Sequence, residues 1–102
     1  MFTSDTMEGK TILITGGGSG LGLAMAKGLC GAGADIAICG RTVEKLEKAS
    51  EEIAKERNGA KVQIYSVDVR NYEQVQDMFN SLSNEFASID GLINNAAGNF
   101  LS

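Results

Sequence analysis

Histidine is absent from the 102 residues and cysteine occurs only twice, which removes the ligand sets from which conventional zinc sites are built, so no metal is expected. The two thiols, Cys30 and Cys39, fall in a predicted helix and a predicted strand. There they read as small buried hydrophobes, not as a disulfide or a reactive pair. No cluster or stripe of Lys and Arg occurs, and 13 acidic against 9 basic residues leave a net charge of -4. That balance argues against a phosphate-backbone binder, and nucleic acid is not an expected partner. No apolar run approaches membrane-spanning length, and residues 1–8 form a polar N-terminal segment with no apolar h-region. No membrane contact and a cytoplasmic location are therefore expected. Proline is missing altogether, and no repeat or low-complexity linker is visible; neither carries a functional conclusion. What remains, 43% hydrophobic and 22% charged residues, is ordinary globular composition at the length of one modest domain.

The informative stretch is Ile12-Leu13-Ile14-Thr15-Gly16-Gly17-Gly18-Ser19-Gly20-Leu21-Gly22. An apolar run too short for a helix ends at Thr15, glycines crowd the next positions, and Leu21, Ala24, Met25 and Leu29 then recur at helical spacing. The order is strand, glycine turn, helix. Glycine permits positive φ and a close backbone approach, and the helix start aims unpaired N–H groups and a positive dipole end at its occupant, for which a phosphate is the natural candidate. The spacing is Gly16-x-x-x-Gly20-x-Gly22, which differs from the general G-x-G-x-x-G fingerprint.

Further on, the pattern predicts a helix from about Gly20 to Ala32 stopped by Gly33, then a strand over Asp35-Ile36-Ala37-Ile38-Cys39. Thr42 is a predicted N-cap for a helix of about Val43 to Arg57 with the stripe Val43, Leu46, Ala49 (or Ser50) and Ile53. A third strand covers Lys61–Val67. Asn71 and Gln74 form a predicted capping box for a helix of about Tyr72 to Phe86 that buries Val75, Met78, Phe79, Leu82 and Phe86. Ile89–Asn94 is a fourth strand. Strands alternating with helices call for parallel pairing, giving an α/β, Rossmann-type doubly wound sheet of four strands in the order 3-2-1-4 with three helices. A ligand crevice belongs at the carboxyl ends of its strands, where the winding reverses.

Thr15-Gly16-Gly17-Gly18-Ser19-Gly20-Leu21-Gly22, Asp68-Val69 and Asn94-Asn95-Ala96-Ala97-Gly98 together resemble the N-terminal, cofactor-binding half of a classical short-chain dehydrogenase/reductase. The resemblance begins near Gly9, so residues 9–102 are expected to be a partial dinucleotide-binding domain whose C-terminal half is absent, with strand 4 left as an apolar edge. By this resemblance Gly16, Ser19, Gly20, Leu21 and Gly22 would hold a pyrophosphate, Ser19 serving equally as a helix cap. Asp68 would accept from the adenine amino group beside the Val69 backbone, or else cap the third helix. Asn95, with Ala96 following, is expected beside the nicotinamide ribose, or tying the loop together.

Cofactor choice follows from charge. In dinucleotide folds a carboxylate near the end of strand 2 holds the adenosine ribose and would repel a 2′-phosphate. From Ile36 to Val43 there is none, while Arg41 offers a planar fork suited to a phosphate dianion and Thr42 an added hydroxyl. NADP is the expected cofactor; the competing role for Arg41 is packing over the sheet edge or pairing with Glu44. The family pattern N-N-A-G carries an extra Ala here, as in 2,4-dienoyl-CoA reductases, which implies an unsaturated fatty acyl-CoA substrate, with a 3-ketoacyl or sugar-alcohol reductase as the generic alternative. The family's Tyr-x-x-x-Lys pair is missing, since Tyr65 is followed at the fourth position by Val69 and Tyr72 by Gln76. No catalytic residue is assigned, and the chain alone is expected to be inactive. The resemblance implies a nicotinamide dinucleotide, a carbonyl or enoyl-CoA substrate and a homo-oligomer for the complete enzyme; a non-catalytic NADP(H)-binding module and a structural domain without ligand are the competing readings.

Overall fold

All five residues of β1, Thr11–Thr15, are buried, as they must be in a strand whose sheet is covered on both faces. The computed structural model describes residues 7–18 and 20–95. In it β1 lies inside a four-stranded parallel sheet with β2 (Asp35–Gly40), β3 (Val62–Ser66) and β4 (Gly91–Asn94), in the order β3-β2-β1-β4. Helices α1 (Gly20–Gly31), α2 (Val43–Ala54) and α3 (Tyr72–Glu85) make the connections. The doubly wound α/β fold and its strand order are as expected, with element ends in place or moved by at most three residues.

Register sorts the core into two layers. Ile64, Ile38, Ile14 and Ile93 form one row across the sheet, and Ile14 and Ile38 are sealed beneath α1 and α2 by Ala26, Leu29, Leu46, Ala49 and Ile53. On the opposite face Leu13, Ala37 and Cys39 pack with Met78, Leu82 and Phe86 under α3. Each fully buried branched side chain contributes roughly 1.5–3 kcal/mol. Leu92, opposite Leu13 on β4, is 59% exposed, in keeping with the apolar edge expected there.

The stripes of α2 and α3 come out in the expected phase, with Val43 and Phe79 corrected: both sit at the margin of their stripe and are exposed. For α1 the phase itself is corrected. The residues buried are Gly22, Ala26, Leu29 and Cys30, while Leu21 is 66% exposed. The helix is apolar nearly all round, so its side chains do not choose a face; the tight contact at Gly22 does.

The caps are mixed. Gly33, at φ 114°, ends α1 in a Schellman turn: its N–H donates to the Cys30 carbonyl and that of Ala34 to Leu29. Asn71 Oδ1 accepts from Gln74 N at 3.1 Å as expected, but the box is not reciprocal, because Gln74 Oε1 accepts from Asp68 N at 2.8 Å. Thr42 occupies the N-cap position in extended conformation, yet its hydroxyl makes no capping bond. The acidic Glu44 in the first turn of α2 complements the dipole in its place.

Candidate cofactor site

Parallel strands deliver their carboxyl ends to one rim, and here the ladder runs one step past the strands. Gly16 N donates to the Cys39 carbonyl (2.9 Å) and Val67 N to the Gly40 carbonyl (2.7 Å), so the glycine turn, the Gly40-Arg41 bend and the Val67-Asp68-Val69 segment are locked side by side. Gly16 and Gly20 both have positive φ, 69° and 60°, in the region L side chains avoid. Gly22 serves a different need. A Cβ there would fall on the Gly16 carbonyl oxygen and 2.8 Å from Asn95 Nδ2, so this glycine lets α1 press directly on the turn. Gly17, which the sequence reading passed over, is equally confined: its Cβ would lie 2.5 Å from Ile38 Cγ2.

Where the winding reverses, between β1 and β4, the Thr15 hydroxyl donates to Asn94 Oδ1 at 2.9 Å and accepts from Asn95 N at 2.8 Å. Asn94 thus stitches the strands together. Asn95 Nδ2 lies 3.5 Å from the Gly16 carbonyl, which ties the β4 exit to the glycine turn and leaves its amide oxygen for another partner. Ser19 and Ala96, both expected at this site, lie outside the described residues.

Beyond β2 and β3 a cleft of about 290 Å³ opens, lined by Gly16, Gly40, Arg41, Asp68, Val69 and Arg70 among others. Among the described residues, Arg41 forms no ion pair with Glu44. Arg70 was missed from the sequence, although its position two residues after Asp68 is a recognisable signal. Its Nε donates to Asp68 Oδ1 and its Nη2 to Oδ2, both at 3.1 Å, and its backbone N–H adds a third bond to Oδ1 at 3.0 Å. Asp68 does not cap α3; Asn71 does.

The Arg70 guanidinium bonds, then its backbone N–H, hold the Asp68 carboxyl down at about 2, and the Arg41 charge acts in the same direction. A carboxyl lowered in the folded state contributes stability that is present above its ordinary titration range and lost as pH falls towards 2. Carboxyl NMR should therefore show Asp68 still ionised at pH 3.5, and Arg70→Ala should raise its titration part of the way towards the ordinary carboxylate range, because the backbone N–H at position 70 and the Arg41 charge remain. An unchanged titration in the variant would mean that the fork does not hold the charge. Burial pushes the Cys39 thiol up to about 11 and raises Cys30 as well; both are free and buried, in keeping with their reading as small hydrophobes.

The donors suit an anionic, flat-ended ligand. A glycine turn at a helix start favours a diphosphate, Arg41 is available to a further phosphate, and Asp68 retains one of its roughly four lone-pair sites beyond those taken by Arg70. Gly16, Arg41, Asp68 and Val69 share one cleft; Gly20, Leu21 and Gly22 stand at the start of α1 and Asn95 on its far side, against the same turn. No group of three or more metal-ligating side chains occurs among the described residues, nor does any of their helices have the length and apolarity to cross a membrane.

This geometry has close counterparts. A probable 2,4-dienoyl-CoA reductase 3 of Caenorhabditis elegans is 41% identical over 96 residues, covering 93% of this chain and 31% of its own length. A probable 2,4-dienoyl-CoA reductase of Bacillus subtilis is 41% identical over 95 residues, 93% and 37% respectively. The chain therefore spans about a third of the length of these curated relatives. Among solved structures, a short chain dehydrogenase from Bacillus anthracis superposes with a TM-score of 0.84 at 44% identity over 95% of this chain and 38% of the other. An NAD+-bound xylitol dehydrogenase does so at 0.81 and 34% identity (85% and 33% covered), and the L-sorbose reductase of Gluconobacter frateurii complexed with NADPH and L-sorbose at 0.86 and 33% (98% and 38%). The last two of these structures thus carry a nicotinamide dinucleotide, one without and one with the 2′-phosphate. A family model described as short chain dehydrogenase matches residues 10–101, and with the glycine turn, the reversal at β1 and the four-strand order in place, the chain belongs to the short-chain dehydrogenase family of oxidoreductases.

Proposed function

We propose that this chain is the NADP(H)-binding part of a short-chain reductase acting on a carbonyl or enoyl substrate, of the unsaturated fatty acyl-CoA class. The observation that carries the cofactor reading is Arg41 on the lip of the cleft with no carboxylate between Ile36 and Val43. A 2′-phosphate would meet a guanidinium there and no repelling charge from strand β2. The names of the two 2,4-dienoyl-CoA reductases support the substrate class, as does the run Asn94-Asn95-Ala96-Ala97-Gly98.

In this reading the N–H groups of the Gly16–Gly22 turn, Ser19 and Leu21 included, hold the diphosphate. Arg41 and the Thr42 hydroxyl take the 2′-phosphate, Asp68 accepts from the adenine amino group beside Val69, and Asn95 with Ala96 borders the nicotinamide ribose. The cofactor supplies the hydride. With no Tyr-x-x-x-Lys among the 102 residues, these residues bind and orient without turning a substrate over, which is also what favours the second reading, a non-catalytic NADP(H)-binding module.

Fluorescence titration with NADPH and NADH tests the cofactor assignment. Arg41→Ala is expected to lower the NADPH-to-NADH affinity ratio by about tenfold to a hundredfold, the range of a charge-assisted hydrogen bond. An unchanged ratio overturns it. Sequence following Ser102 in the same reading frame separates the two readings, because a Tyr-x-x-x-Lys there belongs to an enzyme.

A further inference from the structure

Three charged side chains meet at the adenosine end of the cleft: Arg41, Asp68 and Arg70. Asp68 is the awkward member. Its carboxylate faces the same space that Arg41 is suited to fill with a phosphate dianion, and like charges in a shared cleft oppose one another. The fork from Arg70 answers this. Both carboxylate oxygens are engaged at 3.1 Å, and the Arg70 backbone N–H fixes Oδ1 from a third direction.

The carboxylate is also braced from behind. Gln74 Oε1 accepts from Asp68 N, and the Asp68 carbonyl accepts from Asn71 N at 2.8 Å, so the start of α3 sets the position from which Arg70 can reach it. Counting formal charges, the trio leaves the cleft one unit positive with Arg70 present and neutral without it.

Resting on the NADP(H) reading, we propose that Arg70 is a specificity-determining residue that acts through Asp68: by pairing with the carboxylate it masks the negative charge that, among the described residues, lines the cleft beside Arg41, so that the adenine acceptor and the phosphate site coexist in one cleft. Arg70 works here as a positioning residue. Its side chain is 76% exposed, and its removal leaves the core untouched.

The test is a double-mutant cycle on the full-length protein, reading NADPH and NADH dissociation constants by nucleotide fluorescence. Arg70→Ala is expected to lower the NADPH-to-NADH affinity ratio roughly three- to tenfold, the size of an unmasked charge partly screened by solvent. Asp68→Asn in that background should bring the ratio back to the wild-type value. The amide's weaker bond to adenine affects both dinucleotides alike and cancels in the ratio. Arg70→Lys, with the charge but without the fork, should fall between. The proposal is overturned if the ratio of Arg70→Ala equals that of the wild type, or if the double variant stays as low as the single one. A wild-type protein that prefers NADH would instead overturn the NADP(H) reading itself, an outcome separable because it needs no variant.

Discussion

Replacing Gly22 with alanine is expected to lower the unfolding free energy by about 2–3 kcal/mol and to abolish dinucleotide binding, while Gly18→Ala moves stability by less than about 1 kcal/mol. The contrast follows from what each new methyl would meet. At Gly22 it lands on the Gly16 carbonyl oxygen, with the Asn95 amide 2.8 Å away. Neither atom can step aside at low cost: Gly16 is backbone tied through its own N–H to Cys39, and Asn95 is anchored by the Thr15 hydroxyl. Either α1 or the turn must move. Alanine's better helix propensity, worth up to about 1 kcal/mol over glycine, offsets part of the overpacking and limits the loss. At Gly18 the nearest atom to a Cβ is Lys45 Cβ, at an ordinary 3.6 Å. Urea melts of the two variants beside the wild type, with NADPH titration of each, check both halves. Matching melts for Gly22→Ala and wild type would show that the turn is not held by this contact.

The same glycine marks how far the sequence could be read. Spacing alone gave the strand-turn-helix unit, because few other arrangements place glycines at Gly16, Gly20 and Gly22 after an apolar run. The faces of α2 and α3 were legible too, since their polar residues are confined to one side and leave Leu46, Ala49 and Ile53, or Met78, Leu82 and Phe86, to the core. In α1 nothing polar except Lys27 marks the solvent side, so periodicity favoured Leu21 and Met25, and only tertiary contact reveals that Gly22 and Ala26 face inward. The reciprocal half of the capping box failed because a competing donor took the Gln74 side chain. Gln74 turns from Asn71 to Asp68 N, a bond that depends on where β3 delivers Asp68. The cleft repeats the pattern: Arg41 and Asp68 could be named from strand ends, whereas the Arg70 fork and the Thr15 link between β1 and β4 join groups whose meeting depends on the folded backbone.

A second large effect is expected far from the cleft, at Arg57, where substitution by alanine should lower stability by about 2–3 kcal/mol. No basic residue stands in the last turn of α1, although the helix end carries a negative dipole end. Arg57, just past the end of α2, supplies the missing cation across the chain. Its Nε donates to the Cys30 carbonyl at 3.0 Å and its Nη2 to the Ala34 carbonyl at 2.8 Å. The same Nη2 lies 3.0 Å from Asp35 Oδ1, which in turn accepts from Lys61 N at 3.1 Å. One side chain therefore joins the end of α1, the start of β2 and the approach to β3. The Arg57 and Asp35 side chains are 29% and 38% exposed, so the ion pair is discounted to under about 1 kcal/mol, and most of the loss comes from the charged donor taken from the Ala34 carbonyl and from the Cys30 carbonyl, which keeps its bond from Gly33 N. Arg57→Lys should recover less than half of it, because an ammonium cannot span both carbonyls in the geometry of the planar fork. Guanidinium chloride would screen the ion pair, so urea denaturation is the measurement to use. Full recovery by lysine would reduce the role of Arg57 to charge alone, and an alanine variant within about 0.5 kcal/mol of wild type would remove the fastening altogether.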